Sequence, residues 1–143
     1  MKGLRWSIWV CSALVVGCAT SPLPHPASAA CDAIPGSMLW SRTELYFGMG
    51  KPDDSFTSDD EYQAFIDKEV TPRFKDGFTV LAGRGQYLDP RGRLWREPAR
   101  ILLLHYPADP SKSLAIEAIR SAYKTAFQQE SVMRVDETVC VAF

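Results

Sequence analysis

Four segments with strand-like patterning and two with helical spacing, in the order β-α-β-β-α-β, make this sequence an α+β domain built on an antiparallel sheet. Two further observations narrow the arrangement. The second and third strand segments are joined by a tight-turn sequence and read as a hairpin. Each helical segment carries one apolar stripe, so both helices can be buried on the same face of a single sheet.

The first strand covers Leu39 to Phe47. Leu45 and Phe47 share a parity with Ser41 and Thr43, and Trp40, Arg42, Glu44 and Tyr46 share the other, which is the pattern of a half-buried strand. Gly48 and Gly50 end it. Ser58 and Glu61 have the spacing of a capping box, and Tyr62, Phe65, Ile66 and Val70 form a helical stripe that Pro72 stops. The second strand, Phe78 to Leu88, opens after Asp76-Gly77. Asp89-Pro90-Arg91-Gly92 turns the chain into a third strand, Leu94 to about Tyr106. Ile101 to Leu104 is apolar at both parities, which predicts that both faces of the sheet are covered there. Asp109 is an N-cap with Pro110 in the first turn, and Leu114, Ala118, Ile119, Ala122, Tyr123, Ala126 and Phe127 supply the second stripe. The last strand, Val132 to Phe143, alternates Met133, Val135, Val139 and Val141 against Arg134, Asp136, Thr138 and Cys140. This order is the split βαβ, or ferredoxin-like, arrangement, with sheet order 4-1-3-2 and two helices on one face.

The 143 residues leave room for one domain. Lys2 and Arg5 precede the apolar run Ser7 to Val16, the n-region and h-region of a secretory signal. Val15-Val16-Gly17-Cys18 resembles the bacterial lipobox, whose cysteine is lipidated and becomes the first mature residue. By that resemblance Ala19, in place of an aspartate, implies the outer membrane facing the periplasm. Cleavage near Ala27-Ser28-Ala29, giving a secreted or periplasmic protein, is the alternative. The chain then divides into a signal peptide (1–17), a lipidated Cys18 with a Pro/Ser/Ala tether (18–37) and one α+β domain (38–143). The lipid makes the membrane one partner. Losing residues 1–17 leaves 14 basic residues against 17 acidic, a net charge of about −3 with no basic tract, so nucleic acid is a poor partner.

Cys11 leaves with the signal and Cys18 takes the lipid. Cys31 and Cys140 remain in an oxidising compartment and read as a disulfide. The register expected between the first and last strands sets Arg42 across from Asp136 and Glu44 across from Arg134, two opposite-charge pairs at once. It puts Met38 opposite Cys140, and a turn at Pro35-Gly36 brings Cys31 within bridging reach.

Four stretches carry a resemblance. Arg42-Thr43-Glu44-Leu45-Tyr46-Phe47-Gly48, Val70-Thr71-Pro72-Arg73-Phe74, Asp76-Gly77-Phe78-Thr79-Val80 and Gln129-Glu130-Ser131-Val132 resemble a family of small exported bacterial proteins known as a domain of unknown function. The resemblance implies an envelope protein. It brings no activity, cofactor or catalytic residue with it.

His105 is the one histidine of the domain, and no Cys or His spacing suits a metal, so neither metal nor cofactor is expected. Gly48-Met49-Gly50-Lys51 and Gly83-Arg84-Gly85 lack the strand-to-helix context of phosphate loops. Glu44 and Glu97 fall on strands expected to be adjacent, with Arg42, Arg84, Arg96 and Arg100 nearby in sequence. Arg42, Glu44, Arg84, Glu97 and His105 are therefore the candidate ligand-binding residues, foremost Glu97 with a neighbouring arginine. Trp40, Tyr46, Tyr87 and Trp95 would wall a site only if they met on the face away from the helices. Two function classes follow. One is a non-catalytic envelope module that binds a small molecule or a protein through its open sheet face, a homodimer included. The other is a small exported enzyme with Glu97, Glu44 or His105 as acid/base.

Overall fold

The computed structural model describes residues 31–143. The expectations for the signal peptide, Cys18 and the tether up to residue 30 lie outside the described residues. Strand β1 spans Met38–Gly48, helix α1 spans Asp59–Phe65 and continues as a π-turn over Ile66–Val70, and β2 spans Thr79–Leu88. Then come β3 (Leu94–Pro107), α2 (Pro110–Phe127) and β4 (Met133–Val141). All neighbouring strands are antiparallel, in the order β2-β3-β1-β4. This is the predicted 4-1-3-2 ferredoxin-like sheet.

Local chemistry explains where the helices start and stop. The Ser58 hydroxyl accepts the Glu61 N–H at 3.2 Å, and the Glu61 carboxylate accepts the Ser58 N–H at 2.8 Å. Pro72 has no N–H to continue the ladder, and the last turn is the wider π form, with the Thr71 N–H on the Ile66 carbonyl at 3.0 Å. Asp109 caps α2 by accepting the Ser111 N–H at 2.8 Å, and Gln128, in the left-handed region at φ 55°, closes it.

The core lies between the sheet and the helices. Leu45 and Phe47 of β1, Leu102 and Leu104 of β3, and Ile116, Ile119 and Tyr123 of α2 are fully buried there, with Tyr62, Phe65, Ile66 and Val70 closing one side. Burying each large side chain contributes about 1.5–3 kcal/mol. The Tyr123 ring sits among Phe47, Phe127 and Phe65, with centroids 4.5, 4.7 and 5.2 Å away, and its hydroxyl donates to the Gly48 carbonyl at 2.8 Å. The stripe of α2 differs from the expected one at its start. Ile116 is in the core, whereas Leu114 is 76% exposed. Ile116, Ile119, Tyr123 and Phe127 repeat at three- and four-residue steps, and at about 100° per residue Leu114 lies some 200° from Ile116.

The β1–β4 register is one residue away from the expected one. Arg42 faces Glu137, Thr43 faces Asp136, Leu45 faces Arg134 and Leu39 faces Cys140. Opposite residues in an antiparallel pair share a face, so Arg134 and Asp136 point to the helix side with Thr43 and Leu45. There Arg134 pairs with Glu117 of α2 at 2.8 Å, and Asp136 accepts the Thr43 hydroxyl at 2.6 Å. These contacts with a helix and a buried hydroxyl outweigh the two cross-strand ion pairs that the sequence pattern favoured.

Cys31 and Cys140 are bridged, with Cα atoms 5.3 Å apart. The entering segment is a turn: the Ile34 N–H and the Ser37 hydroxyl both donate to the Cys31 carbonyl, at 3.0 and 2.7 Å. Gly36 supplies the φ of 74° that the turn requires. At the far end of the molecule the β2–β3 hairpin runs past the core, and no residue from Lys75 to Ile101 is buried. Its tip holds itself together. Tyr87 stacks on Trp95 at 6.2 Å, the Arg93 guanidinium lies 3.7 Å from the Trp95 ring centre, and the Trp95 indole donates to Asp89 at 3.1 Å.

The open face of the sheet as candidate binding site

The face away from the helices follows from the registers. Reading from β4 through β1 and β3 to β2, one row is Val135, Glu44, Leu103 and Thr79, and the next is Met133, Tyr46, Ile101 and Leu81. On the other side of the Glu44 row lie Glu137, Arg42 and His105, then Val139, Trp40 and Pro107. Met133, Leu81 and Met38 of this face are 56%, 46% and 48% exposed. Leu102 and Leu104 fill the core, while Ile101 and Leu103 face outward among these side chains. The run from Ile101 to Leu104 therefore does serve two faces, and the second is a partly exposed apolar surface.

One charged cluster sits in the middle of it. The Glu44 carboxylate accepts one hydrogen bond from the Arg42 guanidinium and another from the Tyr46 hydroxyl, one on each oxygen. Arg42 also approaches Glu137 at 3.6 Å. The Glu44 side chain is only 12% exposed. The Tyr46 hydroxyl and the Arg42 guanidinium hold its carboxyl below the usual carboxylate range, and the same contact raises the Tyr46 hydroxyl. Glu44 is thus an ionised, hydrogen-bonded member of a network in which the Arg42 Nε is buried without a partner.

The remaining candidates are dispersed. His105 is exposed and stands opposite Arg42 on this face, so three of the five named residues (Arg42, Glu44 and His105) come together. Glu97 does not join them. Leu103, not Glu97, is paired with Glu44, and six residues of strand are about 20 Å. Glu97 instead accepts the Gly50 N–H at 2.7 Å and lies against Gly48, where an added Cβ would come within 2.8 Å of its carboxylate. That close approach accounts for the glycines of Gly48-Met49-Gly50. The expected arginine partner of Glu97 is absent among the described residues, because Arg84 pairs with Pro98 and so points to the helix side, Arg96 donates to Gln86 and Arg100 binds Asp59. The four aromatic residues share the open face but not one place. Trp40 meets Phe143 at one end, and Tyr87 and Trp95 stack at the other, about 40 Å along β3.

Sequence reasoning missed a second network, on the helix side. Thr43 is fully buried, and its hydroxyl lies 2.7 Å from the Tyr106 hydroxyl and 2.6 Å from Asp136. It borders a shallow cleft of about 450 Å³ between the sheet end and the start of α2, lined in part by Ser41, Tyr106, Asp109, Ser113, Arg134 and Asp136. Among the described residues no group of three His, Cys, Asp or Glu side chains is placed to hold a metal.

The sequence from Arg42 to Phe143 matches the family model described as "Protein of unknown function (DUF3574)". The chain belongs to that family. The family stretch begins within β1, the strand that carries the open-face cluster and the core residues Leu45 and Phe47. No protein of curated function matches the chain. Among solved structures it is similar to a phage SAM lyase in complex with S-methyl-5'-thioadenosine, at 17% identity and a TM-score of 0.56, over 76% of this chain and 91% of that one. The same enzyme class in its apo state gives 14% identity and a TM-score of 0.53, over 77% and 93%. Likeness at these identities concerns the architecture and transfers no ligand.

Proposed function

We propose that this protein is a bacterial cell-envelope lipoprotein, anchored to the outer membrane through Cys18, that catalyses nothing itself and binds a partner through the open face of its sheet. The observation that carries the binding role is a contiguous apolar surface whose central charges are already paired. Contiguous exposed apolar surface on a soluble domain marks an interaction site, and a face meant to be covered must have its charges satisfied beforehand. Met133, Val135, Ile101, Leu103 and Leu81 supply the first, and Arg42, Glu44, Tyr46 and Glu137 the second.

The same geometry speaks against an acid/base role. A general acid at neutral pH needs a raised carboxyl, and Glu44 is shifted the other way. Glu97 is engaged by a backbone N–H, and His105 stands in the open without a carboxylate or nucleophile hydrogen-bonded to it among the described residues. The test is photo-cross-linking in cells, with the reactive residue placed at Met133 on the open face or at Leu114 on the outer side of α2. The expected result is an adduct from Met133 and none from Leu114, recovered with the outer membrane and lost from it in Cys18→Ala. No adduct from Met133 would remove the binding role, and unchanged membrane recovery in Cys18→Ala would remove the anchor.

A further inference from the structure

We infer that the partner covering the open face is a second copy of this chain; this rests on the binding role proposed above and gives it an occupant. Shape is the first reason. A small ligand needs a concavity with a few convergent polar groups. Two clefts among the described residues lie off the centre of the open face, one at the start of α2 that reaches Glu137 at the sheet edge and the other between Lys51, Glu61 and Phe127. At the centre of the open face both Glu44 oxygens already accept a hydrogen bond, and the polar atoms left over, the buried Arg42 Nε and the His105 ring, do not converge on a concavity. The open face is suited to another flat face.

Complementarity is the second reason. Two sheets that pack face to face keep their strands within about 30° of parallel, and a two-fold axis makes the contact self-complementary. An axis running along β1 lays β3 of one copy over β4 of the other while keeping every row in place. Leu103 then covers Val135, Ile101 covers Met133 and Pro107 covers Val139, apolar against apolar in each case. In the charged row the same operation sets His105 of one copy over Glu137 of the other, twice by symmetry. Arg42 and Glu44 lie on the axis and meet their own counterparts in the other copy, each neutralised by ion pairing within its own copy.

The experiment uses the full-length chain in cells, with two copies carrying different tags and a photo-reactive residue at Val135. The expected adduct carries both tags and has twice the mass of one chain. Met133→Arg, at an exposed position, should lower that adduct by about tenfold or more, since a charge buried in the contact without a partner costs more than a factor of ten in association. The Cys31–Cys140 bridge and the melting temperature report that the variant is folded. An adduct carrying one tag and a foreign chain would overturn the self-pairing while leaving the open face as a binding surface. No adduct of any kind would overturn both, and a two-tag adduct undiminished by Met133→Arg would place self-association on another surface.

Discussion

Replacing Cys31 and Cys140 together by serine removes a cross-link that spans 109 residues. On the chain-entropy model, opening a loop of that length releases unfolded-state entropy equivalent to about 4.8 kcal/mol at 25 °C. The bridge also holds the turn from Cys31 to Ser37 against β4, where Cys31 is buried. Losing those contacts acts in the same direction. Native bridges of this kind measure about 2–5 kcal/mol, so the expected loss is about 3–5 kcal/mol. For a domain of this size each 1 kcal/mol is worth roughly 3–5 °C, which puts the fall in melting temperature at roughly 10–20 °C. Circular-dichroism melts and urea titrations of the oxidised protein, the reduced protein and Cys31→Ser/Cys140→Ser provide the measurement. The reduced protein should melt close to the double variant, and each single serine variant should lose about as much as the pair. A double variant melting within about 2 °C of the oxidised protein would refute the reasoning.

Two further predictions concern single side chains. Tyr123→Phe removes the hydroxyl bonded to the Gly48 carbonyl and should cost about 1–2 kcal/mol by urea unfolding; no change would mean that water replaces the bond at no loss. The Glu61 carboxyl is held at about 2 by the Lys51 ammonium first and the Ser58 backbone and hydroxyl next, so its folded value lies below its ordinary 4.5. The stabilisation it gives is therefore complete above pH 4.5 and is lost as pH falls from there towards 2. A side-chain NMR titration should place the midpoint near 2, and a midpoint near 4.5 would show that the capping contact does not persist in solution.

Much of the fold was legible because its signals are local. The alternation of β1, the capping box at Ser58 and Glu61, and the Asp109-Pro110 start of α2 each depend on a few neighbouring residues and reappear in the structure. The Cys31–Cys140 bridge followed from the cysteine count and the expected compartment. Register was not legible to the residue, because Arg134 is bound by Glu117 across a helix and Asp136 by a threonine 93 positions away. The candidate site divides along the same line. Arg42, Glu44 and Tyr46 lie on one strand at one parity, so their shared face could be read, whereas the arrival of His105 beside them depends on the β1–β3 pairing. Glu97 misled for the same reason: its partner is a backbone N–H brought there by the fold, which no charge pattern announces. Thr43 gave no signal at all, since a threonine in an alternating strand reads the same whether it faces solvent or a buried tyrosine.

The hairpin that runs beyond the core bears on how the molecule opens. The free energy needed to release a segment is set by what that segment buries, and between Lys75 and Ile101 nothing is buried. Closer to the body Glu97 holds the Gly50 N–H, the Pro98 carbonyl holds the Met49 N–H and Phe78 packs on the core. The tip from Gln86 to Arg96 is held by its own ladder and the Tyr87–Trp95 stack, so the tip can open without any core side chain being exposed. The domain is therefore two cooperative units in series. The body, fastened at one end by the disulfide, opens only when everything does, and the arm opens at a small fraction of that cost. A surface that continues from the body onto the arm is stiff at one end and compliant at the other. Whatever settles on it meets fixed geometry around Glu44 and can draw the aromatic tip into place after contact is made.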